Sequence, residues 1–395
     1  MITRKDWVRS ISVVFALVIL QLAVMGCRQA PPVHNPRDEN PATFGVFSVG
    51  HKTVKLTDQS RHRRKLVVDL WYPVDDDDAV GARLSTYPLV GNTGLDAKIA
   101  LKNLPVSRTA DRHLIVFSHG YGSVRTQSSD LMENLASHGF IVASPEHRGN
   151  AHGSGGDDFD TAAGNRVPDI SFVIDQLLEA SASPSSFLYG RLRSSEVGVV
   201  GHSFGGMTAI GMAAGWAGAS PDARVSAIVP ISAVVDSKLQ SDHRSGPNAG
   251  FTQEQLAQIQ TPVLLMGGTR DENVFIANNH LAYSQIGTIV LMVDIVGANH
   301  AHFTNVCDIG NFLLRNKVGP NLWRLLGAGE MIELYRKTCW AESFPMKEVT
   351  RIQNSYVTAF FKTVLEQDQS YKKYLTPEYA RDDPNVIFKR KAFSR

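Results

Sequence analysis

The chain has 395 residues and 40 Lys plus Arg against 38 Asp plus Glu, a formal net charge of +2. That balance excludes a nucleic-acid-binding charge pattern and an acidic disordered chain. With 43% hydrophobic and 20% charged residues the composition is globular, and the length suits one large α/β domain or two modest ones.

The first segment stands apart from the fold. Arg4, Lys5 and Arg9 precede an apolar run from Ile11 to Val24, which ends in Met25-Gly26-Cys27-Arg28. A basic start and a short apolar stretch closed by a small residue make an export signal. The run falls short of the ~20 apolar residues of a membrane-spanning helix. Gly26-Cys27 resembles the lipobox of bacterial lipoproteins, whose cysteine is acylated and becomes the first residue. The resemblance implies a signal peptide over residues 1–26, a lipid on Cys27, and a body held outside the cytoplasm on a bacterial envelope membrane. A plain signal peptide or an uncleaved anchor is the alternative. Residues 27–43, with prolines and polar residues but no apolar period, read as a tether. The other two cysteines, Cys307 and Cys339, are a candidate disulfide in an oxidising compartment, or two separately buried thiols.

Beyond the tether, short β-branched runs alternate with helical patterns. The runs are Leu66 to Tyr72, Leu114 to Phe117, Phe140 to Ala143, Val197 to Val200, Val225 to Val229, Val263 to Met266 and Ile289 to Val293. Between them, Ser128 to His138, Pro168 to Ala180, Phe204 to Ala214 and Asn273 to Tyr283 read as helices. This alternation implies βαβ units in a mainly parallel sheet. No linker divides the body, so residues 44–365 form one domain. It closes with a helix over 347–365, whose Val349, Ile352, Tyr356, Phe360 and Val364 share an apolar face. Residues 366–395 are expected to be a polar, loosely docked tail. Asp75 to Asp78 lacks the ligand spacing of a calcium loop, and the polar stretch Asp236 to Gln260 is expected to be a surface excursion.

The sharpest chemical signal is Gly201-His202-Ser203-Phe204-Gly205-Gly206, placed between a strand and a helix. A G-x-S-x-G turn in that context is a nucleophile elbow, with the serine hydroxyl raised above the sheet edge. Such a serine needs a base, and the base needs an acid to orient it. Both are expected on loops after later strands, in the order serine, acid, histidine. Asp271, in Gly267-Gly268-Thr269-Arg270-Asp271-Glu272, is favoured over Glu272 and Asp236. His300, in Gly297-Ala298-Asn299-His300, is favoured over His302. His202, beside the nucleophile, reads as a packing or hydrogen-bonding residue. Charge on a tetrahedral intermediate needs two donors. The candidates are the backbone N–H groups of Phe204 and of Tyr121, the latter in Ser118-His119-Gly120-Tyr121-Gly122. No metal-ligand spacing such as H-E-x-x-H occurs, and no cofactor is implied.

Together with Leu135 to Ala143, Glu146-His147-Arg148, Val68-Asp69-Leu70-Trp71-Tyr72-Pro73 and Gly297 to His300, these motifs resemble the platelet-activating factor acetylhydrolases of the plasma and intracellular type II family. The bacterial dienelactone-hydrolase-like and polyester-hydrolase-like enzymes share much of the pattern. The resemblance implies an α/β-hydrolase fold, a mainly parallel twisted sheet with helices on both faces. It further implies a serine esterase acting on short acyl groups, such as the sn-2 acetyl of a phospholipid, and an ester or phospholipid as partner rather than a nucleic acid. The alternatives are a general carboxylesterase, a polyester hydrolase, or a non-catalytic envelope binding protein. One departure concerns the acid: in the animal enzymes it follows an earlier strand, where this chain has Ile231-Ser232-Ala233, whereas Asp271 matches the bacterial relatives.

Overall fold

Strand runs that are apolar on every residue, rather than on alternate ones, call for helices on both sides of a sheet. The computed structural model describes residues 40–90, 93–109, 111–241, 245–325, 329–340 and 342–391. The export segment and Cys27 lie outside the described residues.

Eleven strands form one sheet in the order β11-β10-β9-β8-β7-β5-β6-β2-β1-β4-β3. Its centre is parallel: β6 (Ile141–Glu146), β5 (Leu114–Ser118), β7 (Val197–His202), β8 (Val225–Ile231), β9 (Val263–Gly268) and β10 (Val290–Ile295). On one flank β2 (Arg64–Val74) pairs antiparallel with β6 and with β1 (Ser48–Asp58), followed by β4 (Thr93–Lys102) and β3 (Leu84–Val90).

Side chains alternate between two cores with the period of a strand. Leu114 and Val116 of β5 enter one core, Ile115 and Phe117 the other. The first core packs against α2 (Phe159–Ala182) and α3 (Phe204–Ala214), through residues such as Ile170, Ile174, Met207 and Ile210. The second packs against α1 (Ser129–Ser137) and the long α8 (Met346–Val364), through Leu131, Leu135, Ile352, Phe360 and Phe361. Helix α4 (Ala277–Gln285) connects β9 to β10. Three further helices, α5 (Val306–Arg315), α6 (Pro320–Leu325) and α7 (Glu330–Cys339), form a small cap between β10 and α8. A Cys307–Cys339 disulfide ties α5 to α7, with Cα atoms 5.5 Å apart.

Three expectations need correction. Helix α2 starts at Phe159, with Asp158 accepting from the Thr161 N–H, and contains Pro168. Proline removes one i→i−4 bond, but burial of Val167, Ile170, Val173 and Ile174 holds the helix together across it. The stretch Asp236 to Gln260 is not a mere surface excursion, since its Gln240 and Ala249 line a cavity together with Ser203. Finally, residues 366–391 are not a loose tail. Val386–Lys391 forms β11, antiparallel to β10 over six residue pairs. Phe388 stacks on Tyr356 at 5.8 Å, and Lys391 Nζ donates to the Tyr283 and Ile286 carbonyls.

An edge strand with such anchors shields β10 from pairing with other chains. Deleting residues 376–395 is therefore expected to cost about 2–4 kcal/mol of unfolding free energy and to promote self-association. Urea denaturation and size-exclusion chromatography check this; a loosely docked tail would leave both unchanged.

Candidate active site

Three backbone segments meet at the carboxyl ends of β5 and β7. Ser203 joins β7 to α3 with φ 59° and ψ −119°, a conformation that a non-glycine residue holds only where its surroundings enforce it. Its N–H donates to the Ile231 carbonyl at 2.8 Å. The turn closes because two positions lack a side chain. A Cβ on Gly201 would lie 2.1 Å from the Gly205 oxygen, and one on Gly205 would lie 1.8 Å from the Ser118 oxygen. The start of α3 thus rests directly on the end of β5, with the Phe204 N–H among the first-turn donors that no helix carbonyl satisfies.

His300 opens a 3-10 turn shortly after β10, and Asp271 follows β9. His300 Nδ1 lies 2.7 Å from Asp271 Oδ2. The other carboxylate oxygen accepts the N–H groups of Asn273 (2.9 Å) and Val274 (2.8 Å). Burial would raise the Asp271 pKa, but His300 and these N–H donors outweigh it and hold the carboxyl below its usual range. Ser203 and His300 line the same cavity.

The rival residues are engaged elsewhere. Glu272 makes an exposed ion pair with Lys337 at 2.9 Å, and Asp236 caps a 3-10 turn by accepting the Lys238 N–H. His302 spans Asn299 and the Phe344 carbonyl. His202 is a strut. Gln127 Nε2 donates to His202 Nδ1 at 2.9 Å, so the proton sits on Nε2, which donates to the His300 carbonyl at 3.0 Å. Gln127 also accepts the Gly120 N–H at 2.9 Å. One buried amide and one buried imidazole therefore tie the Gly120 loop, the elbow and the His300 turn together.

Tyr121, which is 42% exposed, lines the cavity with its ring edge-on to Phe204. Behind its loop lies a polar layer that the sequence reading did not assign. Arg166 of α2 is fully buried. It donates to the carbonyls of His119 and Gly120, the latter at 3.1 Å, and to Ser118 Oγ at 3.2 Å and Asn150 Oδ1. Ser118 Oγ also lies 3.0 Å from His147 Nε2, and His147 Nδ1 lies 3.0 Å from Asp169. Asp169 in turn accepts two bonds from Arg64, at 2.7 and 2.8 Å. This second serine, histidine and aspartate set is sealed, each member at most 1% exposed. A signal for Arg166 was present: it sits four residues after Ala162 and four before Ile170, on the apolar stripe of α2, where a cation needs a reason.

The cavity has a volume of about 670 Å³. One wall carries Tyr121, Phe159 and Phe204; the cap contributes Ile309, Leu313, Trp323 and Met331. Among the described residues, no group of three or more His, Cys, Asp or Glu side chains is placed to hold a metal ion.

A ferulic acid esterase from Streptomyces cinnamoneus shares the fold, with a TM-score of 0.57 and 23% identity over 87% of this chain and 96% of its own. The family model described as platelet-activating factor acetylhydrolase, isoform II, matches residues 80–155. The fold is that of an α/β hydrolase, with a family similarity over that segment. The Bos taurus platelet-activating factor acetylhydrolase is 38% identical over 99 residues, 20% of this chain and 22% of that one. The Canis lupus familiaris enzyme is 60% identical over 42 residues, 10% of each. The chain thus spans less than a quarter of the length of these relatives. The segment matched by the family model holds the Ser118–Gly122 loop and His147; Ser203, Asp271 and His300 lie outside it.

The buried imidazoles make the core acid-sensitive. Burial, aided by Arg166, pushes His147 down to about 4, and burial holds His119 and His202 well below 6.5. The unfolded chain takes up these protons near pH 6.5, so stability is full above that pH and declines as pH falls toward 4. His147 alone accounts for about 3 kcal/mol by then. Urea titrations at pH 7.5, 5.5 and 4.5 are expected to show this loss, and His147→Gln is expected to flatten it.

Proposed function

We propose that the chain is a serine carboxylic ester hydrolase. The observation that carries this reading is the His300–Asp271 pair, with a 2.7 Å bond, on a cavity it shares with an elbow serine. Ser203 Oγ attacks the ester carbonyl while His300 takes its proton at Nε2, Nδ1 being held by Asp271. The tetrahedral oxyanion receives the N–H groups of Tyr121 and Phe204. Collapse expels the alcohol, which takes the proton back from His300, and water repeats the sequence to free the acid.

For the substrate we infer an acetyl or other short acyl ester carried on a larger apolar body, in particular the sn-2 acetyl of a platelet-activating-factor-like phospholipid. The matches to the acetylhydrolase relatives support the acyl group. The cavity of about 670 Å³, with Ile309, Leu313, Trp323 and Met331 in its lining, is far larger than an acetyl needs and supports a chain on the same molecule. We further propose that Cys27 carries a lipid that keeps the enzyme on an envelope membrane outside the cytoplasm. A second reading, a general carboxylesterase or polyester hydrolase, is favoured by the aromatic wall of Tyr121, Phe159 and Phe204.

Ser203→Ala is expected to lower kcat by about 10³-fold or more, and Asp271→Asn by about 10²- to 10⁴-fold, with KM little changed. The deciding comparison is kcat/KM for an sn-2 acetyl phospholipid against a soluble acetyl ester. A value at or above that of the soluble ester supports the phospholipid reading. Turnover of the soluble ester alone moves the assignment to a general carboxylesterase, and full turnover by Ser203→Ala overturns the mechanism.

A further inference from the structure

We propose that Arg166 is a positioning residue for catalysis, acting through the Gly120–Tyr121 peptide to orient and strengthen the Tyr121 N–H as an oxyanion donor. This rests on the serine esterase reading above and adds a residue to it.

One amide joins Gly120 to Tyr121. Its nitrogen carries the Tyr121 hydrogen, and its oxygen is the Gly120 carbonyl. That oxygen accepts twice: from Arg166 Nη2 at 3.1 Å and from His119 Nδ1 at 2.7 Å. The His119 tautomer is fixed, because its Nε2 accepts the His147 backbone N–H at 3.1 Å, which leaves the proton on Nδ1. Donation to a carbonyl draws electron density along the amide and makes the N–H on its far side a stronger donor. A charged donor does so more than a neutral one. The preceding peptide is held in the same way, through the His119 carbonyl. Both peptides leading to Tyr121 therefore hang from a single guanidinium, whose flat fork sets their orientation.

The charge itself is placed for the task. Among the described residues no carboxylate forms an ion pair with Arg166; Asp169 is taken by Arg61, Arg64 and His147. Burial lowers the guanidinium to about 9, so it remains protonated at neutral pH. A buried cation with carbonyls rather than carboxylates as partners keeps its field, and low polarisability lets that field reach an oxyanion forming beyond the loop. The same guanidinium lies 4.7 Å from the Phe204 ring, so it also packs against the residue that supplies the other donor.

The test compares wild type, Arg166→Met and Arg166→Lys on p-nitrophenyl acetate, with Ser203→Ala as blank and circular dichroism to confirm folding. Affinity for an aryl trifluoromethyl ketone, which forms a hemiketal oxyanion on the serine, is measured alongside. Arg166→Met is expected to lower kcat by about 10²-fold with KM within twofold, and to weaken the ketone by a similar factor. Arg166→Lys keeps the cation but cannot span both carbonyls, and is expected to recover part of both losses. Should Arg166→Met fail to fold, Arg166→Lys carries the test: an about tenfold fall in kcat and in ketone affinity, at constant KM, supports the role. A folded variant with unchanged kcat overturns it, as does a loss expressed in KM while ketone affinity stays constant. Absence of wild-type turnover sinks the esterase reading and this inference together, whereas active wild type with indifferent Arg166 variants sinks the inference alone.

Discussion

Everything at the site depends on one backbone contact, the start of α3 lying against the end of β5. Gly205 touches the Ser118 carbonyl so closely that no side chain fits between them. This contact puts the elbow and the Ser118–Gly122 loop at one point. Two donors from separate segments, the N–H groups of Phe204 and Tyr121, can then face a common oxygen. The strained φ of Ser203 is maintained by the same contact, because any relaxation would drive Gly205 into β5.

Holding that junction in place falls to polar groups that a core ordinarily excludes. Buried ionisable groups are tolerated when they are ion-paired, neutral or, like Arg166, held by several hydrogen bonds. Around this junction the other two solutions also occur: Asp169 sits among Arg61, Arg64 and His147, while His119, His147 and His202 are kept neutral by burial. Each neutral imidazole has one fixed donor and one fixed acceptor, so it can link two segments in only one orientation. That property makes imidazole a better strut than a hydroxyl at these positions. In His202, next to Ser203 in sequence, both ring nitrogens are taken up in this way.

The parallel centre of the sheet was legible because buried strands are apolar throughout, as in Val197 to Val200 and Val263 to Met266. The elbow was legible because its glycines and serine are fixed by local geometry. What escaped detection has a common cause. β1 reads Ser48-Val-Gly-His-Lys-Thr-Val-Lys-Leu-Thr-Asp58, half polar, because an outer antiparallel strand needs only one covered face. β11 reads Val386-Ile-Phe-Lys-Arg-Lys391, whose basic end suits an edge strand but resembles a tail. The roles of Arg166 and Gln127 depend on partners 46 and 75 residues away, Gly120 and His202, and no local pattern encodes those. Among acids and histidines after the last strands, sequence order narrowed the choice. Only the structure shows Glu272 drawn out to Lys337 and His302 turned to Phe344.

The cap bears on the cavity in a way that the junction does not. Its helices interrupt the chain between the His300 turn and α8, and the Cys307–Cys339 bond joins the first helix to the last. The cap supplies the apolar lining of Ile309, Leu313, Trp323 and Met331 and also braces the His300 turn: Asn299 donates to the Lys337 carbonyl at 3.3 Å and accepts from Thr338 Oγ1 at 3.2 Å, and Ala301 packs with Val306 and Cys307. Trp323 is anchored by its own Nε1 donating to the Val318 carbonyl, so that lining is set by bonds internal to the cap. Helix α7 does both, since Met331 lines the cavity while Lys337 and Thr338 hold Asn299 beside His300. A change in the length or shape of the cap would therefore move the His300 turn together with the apolar lining, so the two are coupled through α7 rather than independent.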